Sequence, residues 1–339
     1  MTNNRAELSP EEKRALLAQL LRKKAAATIT THPLSAAQYG LYFQHNFTPG
    51  NVAFNLMYAL RIWSAVDVPA LHRAFQAIVD RHASLRTTYA ARDHEHVQQI
   101  HGHQAVAFEP IDAASWSWEQ LTERMLAAAD QPFDLHRGPL LRVYLFSQAG
   151  DRHVLLIVVH HIAVDLWSLD LVMDELRQCY AAARSGTSAS LPPLQLQYTD
   201  YVHWEAKLLA SAEAERLWSY WQRQLAGELP TLNLPTDRPR PPLQTYRGAA
   251  ETIKLSSALT GRLRMLARAE GATLYMVVLA AYQALLHRYS GQTDYCIGSP
   301  TVIRGRRELE SIVGCFVNYV VLRADCAGNP AFTTLLRRV

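Results

Sequence analysis

The sequence predicts a mixed α/β protein, and three observations carry that prediction. Val154 to Val159 is an unbroken apolar run of strand length. Past Asp165 the residues Leu169, Val172, Met173, Leu176 and Tyr180 return at helical spacing, so VLLIVVHHIAVDLWSLDLV reads as strand, sharp loop, helix. Helical and strand patterns then alternate along the chain with no internal repeat. Finally, 339 residues with 49% hydrophobic and 19% charged content describe a globular chain with enough apolar material for two lobes.

The elements follow in chain order. Residues 1–29 form an N-terminal arm whose segment SPEEKRALLAQLLRKKAAA has helix punctuation: Ser9 as cap, Pro10 in the first turn and Glu12 closing a capping box. Leu16, Leu17, Leu20 and Leu21 make one apolar stripe, either packing on the arm's own domain or serving as a handle for a partner. VPALHRAFQAIVDR places Leu71, Phe75, Ile78 and Val79 at helical spacing, and LRTTY then turns to strand character. SGTSASLPPLQ, residues 185–195, is the natural linker between lobes, dividing the chain into 30–190 and 191–339. A Pro-rich loop spans 234–248. Two helices separated by Gly271 follow, then a strand near DYCIGSP. NPAFTTLLRRV opens a last helix with Asn329 as cap and Pro330 in its first turn.

Charge and cysteine usage narrow the function. The formal charge is +4, but residues 1–30 alone hold six Lys/Arg against three Glu, so the rest is nearly balanced. That excludes the clustered basic face that nucleic-acid binding requires. Cys179, Cys296, Cys315 and Cys326 show no CxxC spacing and read as buried reduced thiols, neither disulfides nor a zinc site. No apolar run reaches membrane-span length and no signal-peptide core is present, which points to the cytoplasm.

His160 and His161 need a reason. Neighbouring strand residues face opposite sides, so the pair is badly placed to share a metal ion, and no further ligand cluster stands at useful spacing. Two core histidines would each have to find hydrogen-bond partners or lose about 1–3 kcal/mol. One imidazole facing a cavity and one facing the core satisfies the alternation. An imidazole suits proton transfer at neutral pH. Asp165 either orients an imidazole or holds the loop through an arginine from elsewhere. No Gly-x-Ser-x-Gly elbow or reactive-cysteine context supports a covalent intermediate. The residues favour base-assisted transfer between two bound substrates.

The motifs resemble those of one family, the condensation domains of nonribosomal peptide synthetases. HHIAVD (160–165) resembles HHxxxD, LSAAQYGLYF (34–43) resembles SxAQxxLxF, and RHASLRTTY (81–89) resembles RHExLRTxF. YTDYVHW (198–204) resembles YxDFAxW, and IVGCFVNYVVLR (312–323) resembles IGxFVNTxxxR. The Pro-rich LPTDRPRPPLQTYRG is also similar to an inter-motif loop of that family. The resemblance covers about residues 30–339. It implies two chloramphenicol-acetyltransferase-like lobes in a V-shaped pseudo-dimer with a tunnel between them.

The implied reaction is amide formation, in which the amine of an acceptor attacks a donor thioester. Both substrates would ride on the 4'-phosphopantetheine arms of carrier proteins, with no bound cofactor or metal. Donor and acceptor carrier proteins and neighbouring synthetase domains such as an adenylation domain are the implied partners. By motif position, His161 would face the tunnel and take a proton from the amine or hold it, and His160 would be structural. A free α-amino group titrates at about 8 and must attack unprotonated. Asp165 would form a site-shaping salt bridge, with Arg304 as its partner. Asn318 would lie near the tunnel, and Leu166, Trp167 and Ser168 would shape the site. Backbone N–H groups at the start of the following helix would receive the developing oxyanion.

The sequence also departs from the family pattern. Leu166 stands where Gly is usual, as do Ala83 for Glu, Tyr319 for Thr and Ile303 for Gly. Leu166 implies a narrower site or an altered loop, and the departures together mark either a subtype that takes a polyketide or other unusual donor, or drift. The family's further motifs lie beyond Val339, so the second lobe is expected to be incomplete and the chain alone to be of doubtful activity. Two rival readings remain: an ester-forming acyltransferase of the same superfamily, and a non-catalytic platform that recruits carriers. LSAAQYGLYF, YTDYVHW and GCFVNY argue against epimerisation.

Overall fold

The computed structural model describes residues 28–92, 95–242, 244–246 and 248–339. The helix expected over 9–27 lies outside the described residues. The described chain forms two compact units. The first takes the described residues up to Leu208 together with Val302–Val317; the second takes Leu209–Thr301 and Asn318–Val339. The division thus falls later than the 185–195 stretch. Ala189 and Leu191 pack on the first unit's core, and the Pro192 carbonyl accepts from Arg81 Nη2 at 2.6 Å. Apolar side chains inside that Pro/Ser-rich segment tie it to the first unit.

The first unit is built on a four-stranded sheet of β2 (Asn55–Ile62), β5 (Ala107–Asp112), β6 (Leu141–Gln148) and β7 (Arg152–His160), in the order β2-β7-β6-β5. β5 and β6 run parallel; the other neighbours are antiparallel. β7 is an inner strand, and every residue from Val154 to His160 is buried. A strand covered on both faces needs a continuous apolar run, and that is what its sequence supplies. Each fully buried Val, Leu or Ile there stabilises by roughly 1.5–3 kcal/mol, so the strand is a rigid base for the residues that follow it. A second antiparallel sheet has the order β1-β4-β3, from β1 (Ile29–Pro33), β3 (Thr87–Arg92) and β4 (Glu95–His101).

Helices α1 (Ala36–Phe47), α2 (Val68–Arg81), α3 (Trp118–Ala129), α4 (Leu166–Arg184) and α5 (Tyr198–Leu209) complete this unit. Asp67 caps α2 by accepting from the Ala70 N–H, and Leu71, Phe75, Ile78 and Val79 form its buried stripe. A short 3₁₀ turn, Ala83–Arg86, then leads into β3. Along α4 the buried residues Ser168, Leu169, Val172, Leu176 and Cys179 repeat at helical spacing and pack toward α2.

The second unit contains α6 (Ala212–Gln224), α7 (Ser257–Ala269), α8 (Leu274–Ser290), β8 (Asp294–Val302), β9 (Val317–Asp325) and α9 (Phe332–Arg338). Thr273 caps α8 at one end, and Gly291 at φ 70° ends it in the left-handed conformation. Val277, Ala280, Leu286, Tyr295, Ala324 and Leu335 form its core. The last helix starts later than its sequence suggests. Gly328 and Asn329 both have positive φ, 80° and 48°, so this turn holds Asn329 outside the helix, and Ala331 stands at the cap with no side-chain bond. Among the described residues no single helix is long and apolar enough to cross a membrane.

Candidate active site

The site grows from the junction between β7 and α4. His160 is the last residue of β7, paired with Asn55 of β2, and is 1% exposed. Its Nδ1 accepts the Ile162 backbone N–H at 3.1 Å, so the ring proton resides on Nε2, which has no hydrogen-bond partner among the described residues. The ring instead stands edge-on to His45 and Phe133, with centroids 5.9 and 6.0 Å away. Burial, followed by the neighbouring His45 and His161, pulls its pKa down to about 3. His160 is therefore neutral at physiological pH and serves packing.

Asp165, also 1% exposed, is instead surrounded by a set of donors. It is the N-cap of α4: Oδ1 accepts the Ser168 N–H at 2.7 Å, and its carbonyl accepts the Leu169 N–H at 3.0 Å. The Arg304 Nη2 donates to Oδ1 at 3.1 Å and Oδ2 at 3.2 Å, and the Phe316 N–H reaches Oδ2 at 3.1 Å. Nη2 also donates to Ser168 Oγ at 2.8 Å, while Nη1 donates to the carbonyls of Leu309 and Ile312 at 2.7 and 2.8 Å. The guanidinium lies 3.9 Å over the Phe316 ring. Burial lowers its pKa from the usual arginine value, opposed by the Asp165 carboxylate. The 303–316 segment is closed into a loop by the Ile303 N–H donating to the Phe316 carbonyl at 2.8 Å, with Arg304 gathering its interior carbonyls.

Ser168 stitches this loop to α4. Its hydroxyl donates to the Gly314 carbonyl at 2.9 Å and accepts the Gly314 N–H at 3.0 Å. Gly314 has no room for a side chain, since a Cβ there would lie 2.0 Å from the Tyr198 ring. The Tyr198 hydroxyl donates to the Cys315 carbonyl at 2.6 Å and meets Ser35 Oγ at 2.9 Å. Ser35 and Gln38 form the capping box of α1, and Gln38 Nε2 donates to the Tyr89 hydroxyl at 3.1 Å. Arg81 and His82 both reach Glu175 on α4, at 2.9 and 2.8 Å. Burial raises the Glu175 carboxyl's pKa, but these two partners outweigh it and hold it low. Five motifs that lie far apart in sequence thus brace one junction.

His161, just past β7, is only partly buried, and its N–H donates to the Phe54 carbonyl at 2.8 Å. Neither imidazole bonds to Asp165. The only hydrogen-bond partner of the His161 ring among the described residues is Cys315, whose Sγ lies 3.7 Å from Nδ1. Leu166 is 70% exposed in the first turn of α4, where a regular helix runs, so leucine leaves the loop undistorted. Trp167 is half-exposed and donates from Nε1 to the Glu310 carbonyl at 3.0 Å. At the helix start the Ser168 and Leu169 N–H groups are taken by Asp165, which leaves those of Leu166 and Trp167. Asn318 lies in the second unit, where its Oδ1 accepts the Tyr319 N–H at 2.8 Å. No group of three or more metal-ligating side chains occurs among the described residues.

Sequence reasoning overlooked Gly314, Tyr198 and Cys315 as site residues. A glycine inside the apolar IVGCFV run signals close backbone approach, and Asp165 followed by Ser168 before an apolar stripe signals an N-cap. Cys315 carries no such local signal, because its partner lies 154 residues away.

A condensation-domain family model matches residues 28–339. The chain belongs to the condensation-domain family. Among curated relatives, it is 41% identical over 311 residues to a linear gramicidin synthase protein of Brevibacillus parabrevis, covering 91% of this chain and 4% of that protein. It is 39% identical over 316 residues to a chondramide synthase of Chondromyces crocatus, covering 91% of this chain and 8% of the relative. The chain therefore spans only a small part of these synthetases. Among solved structures, the X-domain from teicoplanin biosynthesis shares 31% identity at a TM-score of 0.82, covering 90% of this chain and 68% of that one. The first condensation domain of the calcium-dependent antibiotic synthetase shares the fold at 23% identity and a TM-score of 0.75, covering 91% and 72%. The condensation domain is mixed α/β, as its sequence predicts, and chloramphenicol-acetyltransferase-like lobes are consistent with these likenesses.

Proposed function

We propose that this condensation domain forms an amide bond between two carrier-bound substrates, with His161 handling the proton. The observation that carries the reading is the contrast at the junction: His160 and Asp165 are buried and committed to packing and structure, while His161 keeps a partly exposed imidazole. The acceptor's amine nitrogen attacks the donor's thioester carbon. The C–N bond forms, the C–S bond breaks, and the amine proton ends on the departing phosphopantetheine thiol. His161 takes that proton or holds the amine for attack. The lattice of Arg304, Asp165 and Ser168 fixes the loop that presents His161, and the Leu166 and Trp167 N–H groups are the candidates to meet developing negative charge.

The relatives support carrier-bound substrates and neighbouring synthetase domains as partners: one solved neighbour, at 22% identity, is a four-domain nonribosomal peptide synthetase bound to AMP and glycine. The experiment is the intact mass of an acceptor carrier protein mixed with a loaded donor carrier. It uses this chain, a version extended to the length of the solved condensation domains, and His161→Ala in each. Transfer of the donor's mass that disappears with His161→Ala supports the proposal. Transfer that survives the substitution overturns the role of His161.

A second reading is favoured by one specific likeness. A solved neighbour at 31% identity is described as a complex of the X-domain and OxyB from teicoplanin biosynthesis. On this reading the domain is a recruiting platform. Partner binding without transfer in any version, unchanged by His161→Ala, would favour it.

A further inference from the structure

The contact between Cys315 and His161 extends the proposed chemistry. Four groups fix the position of Cys315. Its carbonyl accepts from Tyr198, the N–H of Gly314 is held by Ser168 Oγ, and the N–H of Phe316 by Asp165 Oδ2. Arg304 in turn holds both Ser168 and Asp165. The thiol is 2% exposed, and its sulfur lies 3.7 Å from Nδ1 of His161.

A thiol is a weak donor and its sulfur a weaker acceptor, whereas the unprotonated nitrogen of a neutral imidazole accepts well. S–H donating to Nδ1 therefore wins over N–H donating to sulfur. Burial, first of all, raises the thiol pKa to about 12, so the proton it donates stays on sulfur at neutral pH. Among the described residues no carboxylate bonds to this ring, and Asp165 is occupied by Arg304, Ser168 and Phe316.

We infer that Cys315 is a positioning residue that holds the His161 ring through Nδ1 and so places the ring proton on Nε2. The inference rests on the reading of His161 as the proton-handling group. Its consequence is specific. In the resting domain Nε2 is a hydrogen-bond donor, suited to hold a substrate by its carbonyl or amine. To act as a base, the ring must shift its proton to Nδ1, and the thiol must turn from donor to acceptor. Among the described residues, the hydrogen bonds that link the Arg304–Asp165 lattice to the imidazole pass through this sulfur.

The test reads the ring without any substrate. The whole chain is labelled with ¹⁵N-histidine, and the His161 nitrogens are assigned by their loss in His161→Gln. Spectra are taken at a pH where neutral imidazole dominates. The expected spectrum of the unsubstituted chain and of Cys315→Ser has an unprotonated Nδ1 and a protonated Nε2. Cys315→Ala should move both resonances toward the averaged positions of a free imidazole. A protonated Nδ1 in the unsubstituted chain overturns the inference, as does a Cys315→Ala spectrum that leaves both nitrogens unmoved. The serine variant, which keeps a donor, shows whether any change comes from altered packing: a serine spectrum shifted like that of alanine also counts against the inference. The carrier transfer assay with His161→Ala tests the function separately, so the two can fail independently.

Discussion

His160 and Asp165 stand five positions apart, are equally buried, and handle that burial in opposite ways. The His160 side is lined by the rings of His45, Phe54 and Phe133 and supplies one backbone donor, so the imidazole gives up its charge. The Asp165 side converges donors from three places: the first turn of α4, the Arg304 guanidinium and the Phe316 backbone. There the carboxylate is paired with a cation. The difference teaches that equal burial leaves room for opposite surroundings: one polar group is packed among rings, the other is met by converging donors. It also explains how a partly exposed His161 is held between them on a rigid loop.

The largest effect should come from breaking the Asp165 side. Arg304→Met leaves a buried carboxylate without its cation and should cost the first unit about 3–5 kcal/mol, measured by denaturant unfolding. Replacing both partners, as Asp165→Leu with Arg304→Met, should cost less than Arg304→Met alone, because no orphan charge remains. A double variant weaker than the single would contradict this account of the lattice.

Next comes Gly314→Ala. The added methyl overlaps the Tyr198 ring, and overpacking at a closed site typically costs about 1–3 kcal/mol. An unchanged melting temperature would show that the ring can move aside. The His160 side breaks through pH. Its folded pKa is about 3 against 6.5 unfolded. Between these values the unfolded chain binds the extra proton, so stability is full above 6.5 and falls as pH drops toward 3, by about 1.4 kcal/mol per unit. His160→Phe should flatten that part of the stability profile, and an identical slope in the variant would assign it to other groups. The smallest effect is expected from Leu166→Ala, an exposed helical position, within about 0.5 kcal/mol by the same unfolding measurement.

The sequence made one half of this contrast legible. The apolar run ending at His160 and the helical spacing after Asp165 are local patterns, and they place the junction correctly. The resemblance singled out Arg304 as partner to Asp165, and the structure joins the two. What local pattern does not encode is convergence. Tyr198 against Gly314, Ser168 against the same glycine, and Cys315 against His161 depend on segments more than a hundred residues apart meeting in space. Periodicity reports which face of an element is apolar, and it is silent on which distant loop covers that face. The late boundary after Leu208 escaped for the same reason: composition marks 185–195 as a linker, and only the packing of Ala189 and Leu191 joins it to the first unit.

The return of Val302–Val317 to the first unit also sets an order of events during synthesis. Asp165 waits for an arginine 139 residues downstream, a delay of roughly 7–28 s at ordinary elongation rates. Until then the nascent first unit holds a carboxylate that has its helix cap and no cation. The unit should finish folding only after the intervening second-unit segment has emerged, which couples the maturation of the two parts through one ion pair.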